Sequence, residues 1–112
     1  MKMEMTEADG VVNVALAGRL DTAGVDKIET KLTAGVVPRG ARTIVDLSQV
    51  EFAGSLAIRM FISIAKAVAK KSGKLVLYAP QPLVQQVFET ASLADIVPIS
   101  TDAASATALA RA

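Results

Sequence analysis

Ser55 follows a glycine at the start of a long helical pattern, and no residue of the 112-residue chain is better placed for chemistry. The stretch Val45-Asp46-Leu47-Ser48-Gln49-Val50-Glu51-Phe52-Ala53-Gly54-Ser55-Leu56-Ala57-Ile58-Arg59 reads as strand, polar loop, Gly-Ser pair and helix. Ser55 stands at the expected N-cap, where its hydroxyl can accept a bond from a first-turn amide, a role worth about 1 kcal/mol. A phosphate at the same position would place about two negative charges beside free amides and the positive end of a helix dipole. That group would leave the domain folded and change the sign of the local surface, which is the physics of a switch at an interface.

Other chemistry finds little support. The chain has no His and no Cys, which removes the commonest general base, thiolate nucleophiles, disulfides and the usual transition-metal ligands. Ser48 and Ser55 therefore lack a histidine for triad-type activation. Ser72-Gly73-Lys74 looks like the end of a phosphate-binding loop, but the earlier glycine is missing and Leu75 stands where a hydroxyl would hold magnesium. Asp46 has no second carboxylate nearby except Glu51, so a loop or capping role outweighs a magnesium role. The residues call for no catalytic group, no metal and no cofactor.

On the helix after Ser55, Arg59, Ser63, Lys66 and Lys70 form one polar stripe, with Phe61, Ile64 and Val68 opposite as core. Leu56, Ile58, Met60 and Ile62 flank the serine, so a face of mixed apolar and basic character can stand beside it. Coverage of that flank by neighbouring loops explains the same pattern.

The elements that must position Ser55 follow from periodicity. Lys2 to Glu7 and Val11 to Ala17 alternate as strands, joined at Asp9-Gly10, a pair suited to a tight hairpin turn. Asp21 or Thr22 caps a helix carrying Val25, Ile28 and Leu32, which Gly35, Pro38 and Gly40 end. Thr43 to Leu47 is a short buried strand, Leu56 to Lys71 the main helix, and Leu75 to Ala79 another buried strand. Leu83, Val84, Val87 and Phe88 mark a short helix, Asp95 to Ile99 a last strand, and Asp102 caps an Ala-rich final helix. This order predicts one α/β domain over residues 1–112, a sandwich with a mixed, mostly parallel sheet, an N-terminal antiparallel hairpin and about four helices.

Twelve basic and eleven acidic residues leave a net charge of +1, without the dense positive field or interleaved aromatics that nucleic-acid binding requires. The longest apolar stretch, Leu56 to Ala69, is broken by Arg59, Ser63 and Lys66, and Met1 to Glu7 lacks a signal-peptide core. The expectation is a cytoplasmic protein without membrane insertion.

Three segments together resemble the STAS family, named for sulfate transporters and anti-sigma-factor antagonists. Gly18-Arg19-Leu20-Asp21 resembles the family's Gly-x-Leu-Asp after the second strand. Val45-Asp46-Leu47-Ser48-Gln49-Val50 resembles the strand and loop before its phosphorylation site, and Phe88-Glu89-Thr90-Ala91-Ser92-Leu93 its late helix-to-turn segment. Ser55 matches the family's phosphoacceptor serine; Gly54 replaces the usual Asp, Leu56 a Ser or Thr, and Ala57 a Gly, while Ile58 keeps the apolar character of a Leu.

The resemblance implies an anti-sigma factor antagonist and not an enzyme. In that role the unphosphorylated chain binds an anti-sigma factor with serine-kinase activity and releases a sigma factor, and phosphate on Ser55, removed by a phosphatase, breaks the complex. Its partner-binding face would comprise Asp21, Gly54, Ser55, Leu56, Ile58, Arg59 and Ile62. Two alternatives share the resemblance: a subunit bracing the ATPase of an ABC-type lipid transporter, and a scaffold domain of a sensory assembly.

Overall fold

The computed structural model describes residues 1–112. Strands β1 (Lys2–Ala8), β2 (Val11–Leu20), β3 (Arg42–Ala53), β4 (Lys74–Tyr78) and β5 (Ile99–Ser100) form one sheet in the order β1-β2-β3-β4-β5. β1 and β2 are antiparallel and every other neighbouring pair is parallel, as the sequence predicts. Asp9 and Gly10 form the two-residue turn between Ala8 and Val11, with φ of 53° and 80°, the left-handed pair of a type I′ hairpin turn.

Helices α1 (Thr22–Val36), α2 (Ser55–Ala69) and α3 (Pro82–Thr90) cover one face of the sheet, and α4 (Ala103–Arg111) covers the other. Alternation along the strands sorts the core. Val12, Val14, Leu16, Val45, Leu75 and Leu77 join Val25, Ile28, Leu32, Phe61, Ile64, Val68, Val84 and Phe88 in the main cluster. Val11, Ile44 and Val76 face the opposite way and meet Ala106 and Ala110 of α4. Phe61 and Phe88 meet edge to face at 6.4 Å and lock α2 to α3, an arrangement worth about 1 kcal/mol beyond area burial.

Four expectations need correction. β3 continues through Ala53, so the segment read as a polar loop is strand. Its pairing with β2 shifts twice, between Ala15 and Ala17 and between Gly18 and Arg19, and these bulges break the alternation that would have announced a strand. Asp46 accepts from the Ser48 amide at 2.9 Å and Gln81 donates to the Ser48 carbonyl at 2.9 Å, so both backbone groups at the first bulge are satisfied.

The last strand is two residues and lies further on than Asp95 to Ile99. Leu93–Asp95 forms a 3-10 turn, Val97 donates to the Leu93 carbonyl at 2.8 Å, and Pro98 has no N–H to give a ladder. Met60 is buried in the core and does not flank the serine at the surface. Ser55 itself is the first helical residue, and Gly54 takes the cap position. No helix is long and apolar enough to cross a membrane.

Candidate functional site

Two loops converge at the start of α2. At the end of β2, Asp21 caps α1 by accepting the Gly24 amide at 2.9 Å. The turn is tight enough that a Cβ on Gly24 would overlap the Arg19 carbonyl, so only glycine fits there. At the end of β3, Gly54 donates its N–H to the Leu20 carbonyl at 3.1 Å. That bond holds the Gly18-Arg19-Leu20-Asp21 turn against the Gly54-Ser55 junction.

Gly54 is extended, with φ −103° and ψ −172°, and its carbonyl accepts from Ala57 at 3.1 Å and Ile58 at 3.3 Å. Lacking a side chain, it leaves the first-turn amides of α2 without a side-chain acceptor, and no acidic residue stands in that turn. The helix N-terminus is therefore electropositive and open. Nothing steric demands glycine: φ is ordinary, and a Cβ would sit 3.4 Å from the Phe52 ring in normal contact.

Ser55 is exposed between two depressions. The smaller, about 260 Å³, is lined by Asp21, Phe52, Gly54, Ser55 and Leu56 among others. The larger is an apolar groove of about 610 Å³ between the end of β3, the start of α2 and one face of α3, with Ser55, Ile58, Leu83 and Val87 along it. Phe52 forms the wall shared by both. It is 38% exposed, and the Arg19 guanidinium stacks 4.6 Å from its ring centroid while lying 3.6 Å from the Asp21 carboxylate.

Among the residues anticipated from sequence, Asp21, Gly54, Ser55 and Leu56 line the smaller depression, while Ser55 and Ile58 line the groove. Arg59 is exposed and has no ion-pair partner, and it lies one turn after Ser55 on the same side of α2. Ile62 is half-buried against the main core and lines neither depression. Sequence reasoning missed Phe52, Arg19 and the α3 residues Leu83 and Val87. A bulged β3 conceals the outward turn of Phe52, and only the tertiary approach of α3 to α2 creates the groove; Leu83, 71% exposed, is the one α3 apolar residue that its own helix leaves uncovered.

Known proteins share this architecture. The chain is 30% identical to the candidate anti-sigma factor antagonist BtrV of Bordetella bronchiseptica, over 96% of this chain and 93% of that protein. It is 25% identical to the anti-sigma-B factor antagonist of Listeria monocytogenes over 88% of each. In fold it matches the crystal structure of a candidate anti-sigma factor antagonist from Thermotoga maritima, with a TM-score of 0.89, 21% identity and coverage of 98% and 95%. It also matches the anti-sigma factor antagonist SpoIIAA in its unphosphorylated form, with a TM-score of 0.75, 19% identity and coverage of 90% of each chain. The family model for the STAS domain matches residues 2–106, and the chain belongs to that family.

Proposed function

We propose that this protein is an anti-sigma factor antagonist whose Ser55 face docks an anti-sigma factor with serine-kinase activity. Docking frees a sigma factor, and phosphate on Ser55 ends the complex. The observation that carries the reading is the position of Ser55: exposed, outside the helix cap, and seated between two depressions that share the Phe52 wall. The names of the two curated relatives support the same role.

The chemistry asked of the chain is small. The Ser55 Oγ forms a bond to the transferred phosphorus as the bond to the nucleotide breaks, and the serine proton leaves to a base on the kinase. In this reading that base belongs to the kinase, as the catalytic carboxylate of a phosphoryl-transfer site does. The phosphate is tolerated within the domain because the open amides of α2 and the unpaired Arg59 lie beside it.

At the interface the outcome reverses. The doubly charged group stands between apolar walls with Asp21 on one side and Glu51 on the other, so a docked partner would have to desolvate it near like charge. The domain performs no catalysis; a phosphatase resets it, and the exchange takes place in the cytoplasm. Calorimetric titration of the unmodified protein with the anti-sigma factor kinases of its own organism tests the role. Saturable one-to-one binding to one of them is expected, and failure to bind any would contradict it.

A further inference from the structure

β1 lies at one edge of the sheet, with only β2 beside it. The two-residue turn makes Ala8 and Val11 a hydrogen-bonded pair, so the even-numbered residues of β1 direct their backbone groups to β2. The backbone groups of Met3, Met5 and Glu7 therefore point outward as an unused ladder. Lys2 and Glu4 stand opposite Ala17 and Ala15, and neither has an ion-pair partner within the chain. Met1, Met3 and Met5 are half-buried on the helix side of the sheet.

We propose that β1 pairs antiparallel with β1 of a second copy of this chain, about a two-fold axis through Met3, to make one sheet across both copies. The charges select this register. Centred on Met3, Lys2 faces the partner's Glu4, Glu4 faces the partner's Lys2, and Met1 faces the partner's Met5. Side chains of a two-fold pair must share a face, so the alternatives shift the axis by whole residues. Centring on Lys2 or Glu4 sets like charges against each other, and centring on Met5 leaves Lys2 against Ala8 and Glu4 against Thr6.

The pairing uses the β1 edge, and the Ser55 site lies beyond β3, two strands in from that edge. Lys2 pairs with Ala17, so the N-terminal end of β1 lies at the end of the sheet that carries the Gly18 to Asp21 turn. Antiparallel association points the two Ser55 sites in opposite directions. Dimerisation is measured on this protein alone, so it is testable without the partner.

Sedimentation velocity over a wide concentration range, on protein with a free β1 edge, tests the proposal. The wild type should show a reversible monomer–dimer equilibrium. Lys2→Glu and Glu4→Lys, which face only alanines on β2, should each raise the dissociation constant at least about tenfold, because the two-fold axis applies each reversal twice. The double variant K2E/E4K should restore the wild-type constant. A wild type that stays monomeric, a dimer indifferent to the single reversals, or a double variant as weak as the singles would overturn the proposal.

Discussion

The N–H of Gly54 donates to the carbonyl of Leu20 at 3.1 Å, and this one bond joins two segments more than thirty residues apart into a single surface. It sets the Asp21 carboxylate, the Phe52 ring and the Ser55 hydroxyl around one depression. A backbone donor does this work, so the side chain at position 54 is free to vary without loosening the junction.

That freedom gives the first prediction. Gly54→Ser should stabilise the protein by about 0.5 to 1 kcal/mol, through an N-cap hydroxyl for α2 and a less flexible unfolded chain. Ser55→Ala should change stability by less than about 0.5 kcal/mol, because Ser55 does not cap the helix. Urea unfolding midpoints check both; a loss near 1 kcal/mol for Ser55→Ala would return the serine to a capping role.

Leu83 tests the groove separately from the serine. It is 71% exposed in the first turn of α3, a helix with no acidic residue there, so Leu83→Asp should leave the thermal midpoint unchanged or slightly raised. Binding of the anti-sigma factor should weaken at least about tenfold if the groove is part of the docking face. Calorimetry on the wild type and the variant reads both quantities.

The contact between Phe61 and Phe88 carries the third. Both rings are fully buried, and α3 reaches α2 through them. Phe61→Ala should cost about 3 to 5 kcal/mol in chemical denaturation, from lost burial and the cavity left behind. Increased amide exchange in α3 should accompany it.

Asp102 supplies a pH dependence. Interaction with the Ser105 side chain, then with the Ser105 amide, holds its carboxyl below the usual aspartate range; desolvation opposes this, and the Ala104 amide adds to the lowering. A depressed folded pKa means the cap is at full strength above the ordinary aspartate value and is lost as pH falls through the folded value. The amide resonances of Ala104 and Ser105 should report fraying of α4 only below the ordinary value of 3.8, and Asp102→Asn, which has no carboxyl to titrate, should abolish that change.

Much of this was legible in the chain. Asp9-Gly10 announced its turn because the pair suits the left-handed backbone of a tight hairpin; the α1 cap was announced as Asp21 or Thr22, of which Asp21 takes it, and the α4 cap as Asp102, because their side-chain oxygens bind first-turn amides. Gly54 caps α2 without any side-chain signal, so Ser55 next to it, a residue type that favours caps, was expected in the role. The outer half of β3 was hidden by bulges that set Glu51 and Phe52 in succession toward solvent, a pattern that reads as loop. The groove depends on where α3 comes to rest, which is a tertiary fact that no local spacing encodes.

The central claim concerns Ser55. The purified protein, incubated with ATP and the anti-sigma factor kinase proposed as its partner and then mapped by mass spectrometry and titrated again, should carry one phosphate on Ser55, none in Ser55→Ala, and no longer hold the kinase. Phosphate at another residue, or a complex that persists once Ser55 is phosphorylated, would contradict the account.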